Sequence, residues 1–106
     1  MEDVSLTELD AWLADRRTFA LLLYTPFCGT CKWAARMLAV VEAMLPQLSL
    51  VSINLNRAPV LAERWRITSV PCLLLFREGR PAERRYAMHS VEHLYRFLKA
   101  LTQTNT

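Results

Sequence analysis

The sequence predicts an α/β fold in which helices cover both faces of one mixed β-sheet, three layers in all. Two observations carry that expectation. Continuous apolar runs of strand length, Phe19 to Tyr24 and Cys72 to Phe76, fit strands buried on both faces, where a half-wet strand would alternate. Segments of helical spacing lie between and around these runs, so helices and buried strands interleave. The chain has 106 residues, 53% hydrophobic and 22% charged, enough to bury one core and too apolar for a disordered segment. No repeat and no Gly/Ser- or Pro-rich linker divides it, so residues 1–106 are expected to form a single domain.

Taken in order, Ser5 with Glu8 makes a capping box that opens a first helix. Leu6, Leu9 and Leu13 follow at helical spacing toward Arg16-Arg17, whose charge suits a helix C-terminus. The strand Phe19 to Tyr24 stops at Pro26. From Cys31 a long amphipathic helix carries Trp33, Met37, Val41 and Met44 and ends at Pro46. Leu48 to Asn54 reads as a second strand, and Pro59 suits the first turn of a short helix with Leu61, Ala62 and Trp65. Val70-Pro71 leads into the strand Cys72 to Phe76. Glu78-Gly79 turns the chain into a returning strand, Ala82 to Ala87, and Ser90 caps a last helix with Val91, Leu94, Tyr95 and Leu98 on one face.

Composition excludes several function classes. The longest apolar stretch is far short of the roughly 20 residues that cross a bilayer, so no membrane span is expected. The acidic, polar start Met1-Glu2-Asp3-Val4-Ser5 lacks the pattern of a secretory leader, and a cytoplasmic location is expected. The net charge is +3, with cations spread along the chain and paired only at Arg16-Arg17 and Arg84-Arg85, so no nucleic-acid partner is expected. Three cysteines cannot close a disulfide scaffold completely, and cytosolic thiols stay reduced unless they perform redox chemistry.

Chemistry concentrates at Cys28-Gly29-Thr30-Cys31, between a buried strand and the long helix. Unpaired N–H groups and the positive end of the helix dipole favour negative charge there, which lowers the thiol pKa of Cys28 and supplies the thiolate that attacks disulfides. A separation of three residues brings both side chains to one side of the helix start, and Gly29 is read as easing the bend. The competing reading is half of a zinc or iron–sulfur site, completed by Cys72 and by His89 or His93, although neither histidine has a second ligand pair of its own. Cys72 alone reads as a small buried hydrophobe or as a third redox partner. His89 reads as an exposed loop residue or a proton shuttle at the groove rim. Trp12, Trp33 and Trp65 read as packing residues, with groove shaping as the alternative for Trp33.

From about Phe19 to Leu101 the chain resembles the thioredoxin-like family. The matching pieces are the apolar strand, Pro26-Phe27-Cys28-Gly29-Thr30-Cys31-Lys32, Ile53-Asn54-Leu55-Asn56, and Ile67-Thr68-Ser69-Val70-Pro71 with the strand after it. The resemblance implies a thioredoxin-like three-layer sandwich and a thiol–disulfide oxidoreductase, with Cys28 as nucleophile, Cys31 as resolving thiol and Pro71 in the cis form beside them. It also implies a substrate groove of Phe27, Gly29, Thr30, Val70, Ala87 and Met88, with Val70 offering its backbone to the substrate. Disulfide-containing proteins are the implied substrates and a reductase or small thiol the electron donor; no cofactor is expected, and a monomer is. A redox-sensing interaction module on the same fold is the alternative.

The chain also departs from the family pattern. The buried aspartate six residues before the first cysteine, and the lysine on the next strand, are here Leu22 and Ser52, so deprotonation of Cys31 must use water or another group. Phe27 replaces a tryptophan, and Thr30 replaces the proline between the cysteines. That dipeptide tunes the couple, and a reduction potential more oxidising than thioredoxin's, about −270 mV, is expected. Equilibration with glutathione buffers measures it; a value at or below that figure contradicts the expectation.

Overall fold

The computed structural model describes residues 1–103; residues 104–106, which the single-domain expectation includes, lie outside the described residues. Five strands form one sheet: β1 (Glu2–Asp3), β2 (Phe19–Tyr24), β3 (Leu50–Asn54), β4 (Cys72–Arg77) and β5 (Arg80–Arg85). Their order is β1-β3-β2-β4-β5. β3 runs parallel to both β1 and β2, while β4 is antiparallel to β2 and to β5. Among the described residues four α-helices complete the fold, α1 (Leu6–Ala14), α2 (Gly29–Met44), α3 (Val60–Arg64) and α4 (Val91–Lys99), with short 3-10 turns at Leu55–Arg57 and Ala100–Thr102.

Alternation along the central strands divides the core into two layers. Phe19, Leu21 and Leu23 of β2, with Cys72, Leu74 and Phe76 of β4, pack beneath α1 and α3 through Leu9, Leu61 and Trp65. Ala20 and Leu22, with Leu73 and Leu75, pack instead against Ala34, Leu38 and Val41 of α2 and Leu94 and Leu98 of α4. The aromatic centre of the first layer is tightly specified: Phe19 stacks on Phe76 at 4.8 Å, and Trp65 meets Phe76 edge-on at 5.1 Å. Both faces of the sheet are therefore covered, which is why β2 and β4 are apolar without interruption. The three-layer mixed-sheet architecture is the one expected.

Differences from expectation are local. The two-residue β1 has too little sequence to show a period, and it exists because its backbone pairs with β3, Glu2 opposite Val51 and Asp3 opposite Ser52. α1 ends at Ala14 with Asp15 as C-cap, before the arginine pair. α2 starts at Gly29, earlier than the apolar spacing suggested, and its buried face is Cys31, Ala34, Leu38 and Val41. Trp33 and Met44, read as part of that face, are 64% and 49% exposed. β3 begins at Leu50 instead of Leu48, and β5 lies two residues earlier than expected. The exposed β5, Arg80-Pro81-Ala82-Glu83-Arg84-Arg85, forms one sheet edge and shifts register against β4 between Leu75 and Phe76.

The β4–β5 turn takes both Glu78 and Gly79 into the left-handed region, at φ 52° and 78°. Two central residues with positive φ match the twist of a tight hairpin. Gly79 N–H donates to Arg17 O at 2.8 Å, docking the hairpin on the chain after α1. A Cβ at Gly79 would lie 2.6 Å from Leu13 O, whereas one at Gly29 would meet nothing within 4 Å. Gly29 has no positive φ and opens a helix, so the bend attributed to it needs no glycine. Gly79→Ala should therefore destabilise by more than about 1 kcal/mol, while Gly29→Ala should be neutral or stabilising by up to about 1 kcal/mol. Urea unfolding of the reduced proteins measures both.

Candidate active site

Cys28 is the N-cap of α2, with extended backbone at φ −129° and ψ 107°. β2 ends at Tyr24 and the chain turns through Pro26, so the first turn of α2 stands at the carboxyl end of β2. Cys28 and Cys31 are joined as a disulfide with their Cα atoms 5.2 Å apart. Cys31 N–H donates to Cys28 Sγ at 3.1 Å, and the Thr30 hydroxyl lies 3.4 Å from the same sulfur. An otherwise unpaired amide of the first helical turn thus points at Cys28. Cys28 is half-buried, while Cys31 is only 3% exposed. The more accessible sulfur is the one at the helix cap.

An apolar groove of about 490 Å³ runs beside the pair, lined by Thr30, Trp33, Met37, Val70, Pro71, Tyr86, Ala87 and Met88. The Val70-Pro71 peptide bond is cis. The fold thus gathers Thr30, Val70, Pro71, Ala87 and Met88 from three separate loops and helix starts into one groove. Phe27 and Gly29 do not line this groove, and Phe27 projects fully exposed beside it. Trp33, Met37 and Tyr86 belong to it instead. Helical spacing marks Trp33 and Met37 for packing, with groove shaping as the alternative for Trp33, and both line the groove; such spacing reports a shared face and says nothing of what the face meets. Tyr86 accepts from Thr68 N–H and from the Arg84 guanidinium, each at 3.3 Å. Those bonds, Thr68 first, hold its phenol below the usual tyrosine range and tie the loop before Pro71 to the end of β5.

A second, open cleft of about 330 Å³ lies behind Cys31, with Leu22, Tyr24, Lys32 and Ser52 among its walls. Leu22 and Ser52 are direct neighbours across β2 and β3.

Cys72 follows Pro71 but is fully buried in the layer beneath α1 and α3, the face of the sheet away from α2. Burial pushes its thiol pKa up, against a smaller opposite pull from Arg84 and Tyr86. Its place is that of a small apolar filler. His89 adopts a left-handed backbone at φ 60° and packs edge-on against His93 at 4.7 Å, lining neither the groove nor the cleft. Among the described residues, no three His, Cys, Asp or Glu side chains are grouped to hold a metal ion. No helix among them is long and apolar enough to cross a membrane.

Comparison with known proteins agrees with this geometry. The thioredoxin family model matches residues 2–100. The chain is 46% identical over 99 residues to the thioredoxin-like protein YusE of Bacillus subtilis, covering 93% of this chain and 92% of that protein. It is 27% identical over 75 residues to a thioredoxin of Chlamydia trachomatis, covering 71% and 74% of the two chains. The fold superposes on a single-residue mutant of the thioredoxin from Halobacterium salinarum with a TM-score of 0.84 at 21% identity, covering 99% of this chain and 93% of that one.

In the reduced native protein, iodoacetamide should modify Cys28 at least tenfold faster than Cys72, which should label only after unfolding. Peptide mapping checks this; a native adduct or disulfide on Cys72 would show that the sulfur is reached without unfolding.

Proposed function

The chain belongs to the thioredoxin family and is a thiol–disulfide oxidoreductase, and from that premise we propose that it reduces or exchanges disulfides of protein substrates through Cys28 and Cys31. The observation that supports the reading most is the cap position of Cys28, where the Cys31 amide is aimed at its sulfur. In the reduced protein that amide and the helix dipole favour the thiolate. Cys28 thiolate attacks one sulfur of the substrate disulfide; that S–S bond breaks, and the other sulfur leaves as a thiolate that takes a proton. Cys31, having lost its proton, attacks Cys28 Sγ, closes the intramolecular disulfide and expels the second substrate sulfur.

Pro71 and Val70 form the wall facing the substrate, Val70 pairing its backbone with an extended peptide while Thr30, Ala87 and Met88 complete the groove. Phe27 and Gly29 bound its approach, and Phe27 is the fully exposed apolar surface there. A flavoprotein reductase or a low-molecular-weight thiol returns the electrons. The protein works as a monomer, as one domain over residues 1–106, with no bound cofactor. Its compartment is the cytoplasm, consistent with one buried free thiol beside one redox pair.

With dithiothreitol as donor, the protein should accelerate insulin reduction, and Cys28→Ser should abolish the acceleration. Cys31→Ser should accumulate a mixed disulfide with substrate that denaturing, non-reducing electrophoresis detects. Negligible turnover by the parent protein would favour the redox-sensing module.

A further inference from the structure

Resting on the role of Cys31 as resolving thiol, we propose that Asp3 takes up the proton Cys31 loses in the resolving step, by way of the Ser52 hydroxyl, with the Tyr24 hydroxyl orienting the Asp3 carboxylate. Cys31 must become a thiolate while almost wholly buried, where desolvation opposes charge. Cys31 lines the cleft behind it, which gives its proton a way out. No carboxylate lines that cleft, and of its three hydroxyl-bearing walls, Tyr24, Thr25 and Ser52, two reach a carboxylate beyond it.

Both hydroxyls donate to one carboxylate oxygen. Ser52 Oγ lies 2.8 Å and Tyr24 Oη 3.0 Å from Asp3 Oδ1. Backbone register creates the arrangement: Leu22 pairs with Ser52 and Ser52 with Asp3 across β2, β3 and β1, so their side chains share the face beneath α2, and Tyr24 joins them two residues along β2. Ser52 is the one buried polar side chain among the described residues. Its hydrogen is committed to Asp3, which leaves its oxygen lone pairs free to receive a proton. Burial first, and then the bond to Asp3, raises the Tyr24 phenol pKa, so Tyr24 stays a donor that orients the carboxylate.

The step balances simply. The Cys31 S–H bond breaks, and its electron pair forms the bond to Cys28 Sγ as the Cys28–substrate disulfide breaks. The proton passes through water in the cleft to Ser52 Oγ, while the original Ser52 proton moves to Asp3 Oδ1. Asp3 is exposed and releases the proton to solvent. Substrate is reduced, the dithiol is oxidised, and no further reactant is required. Of the other charged groups around the site, Lys32 and the Met1 amino group line the same cleft as cations with no lone pair to receive the proton, the latter held by Glu42 at 2.6 Å, and Glu8 and Arg57 line the pocket on the other side of Asp3. Asp3, Ser52 and Tyr24 are thus positioning residues for the reacting thiol.

Asp3→Asn separates this role from a structural one, because an amide oxygen still accepts both hydroxyls and keeps β1 in place. The reduced full-length protein is mixed with excess 5,5′-dithiobis(2-nitrobenzoate) in a stopped-flow instrument. The first nitrothiobenzoate released reports attack by Cys28, and the second reports attack by Cys31. Asp3→Asn and Ser52→Ala should leave the first release within about twofold and slow the second at least about tenfold, less than the roughly 10²-fold or more expected of a directly placed base. The slowed phase should accelerate with rising pH and with added formate, which supplies an external base. A second release that keeps the parent's rate and pH profile in Asp3→Asn, or two releases slowed equally, overturns the proposal. Absence of two successive releases in the parent protein, or their survival in Cys28→Ser, would refute instead the roles of the two cysteines.

Discussion

The constraint on which the rest depends is the docking of the first turn of α2 at the carboxyl end of β2. It sets Cys28 at the helix cap and Cys31 one turn inward, so two chemically identical side chains meet different surroundings: one half-exposed and faced by an amide, the other buried. That asymmetry makes the two sulfurs chemically distinct before any substrate arrives. Burial of Ala34, Leu38 and Val41 against β2 and β4 holds the helix there, and the strand that supplies most of this surface is itself covered on both sides.

The architecture was legible because buried strands and capped helices leave local signatures. The uninterrupted run Phe19 to Tyr24, the Ser5–Glu8 box and the Ser90 cap all correspond to observed elements. What escaped is what only tertiary pairing decides. β1 is two residues long and has no period to read. Of the α2 pattern Trp33, Met37, Val41 and Met44, only Val41 is fully buried, because large apolar side chains weigh heavily in any pattern whereas small Ala34 and Cys31 fit the close approach of helix to sheet.

The site shows the same division. The dithiol and Val70-Pro71 are visible as short motifs, and the fold brings Thr30, Val70, Pro71, Ala87 and Met88 to one groove. Tyr86 carries no motif; its place follows from hydrogen bonds to Thr68 and Arg84. Cys72 is next to Pro71 in sequence, yet the alternation of a strand sends its sulfur to the opposite face. Adjacency along a chain and proximity of side chains are separate quantities in a sheet. The Asp3–Ser52–Tyr24 cluster spans three strands, and no linear reading joins them.

The margins of the sheet carry a last implication. One border is the brief β1, and the other is β5, rich in like charges, interrupted by Pro81 and kinked by its register shift. Neither offers a long, flat ladder of free amides and carbonyls to another molecule. A long open border on a sheet recruits extended segments of other chains, or of its own copies. Blunted borders leave little backbone for such pairing, so this sheet is poorly suited to seed fibrous self-association.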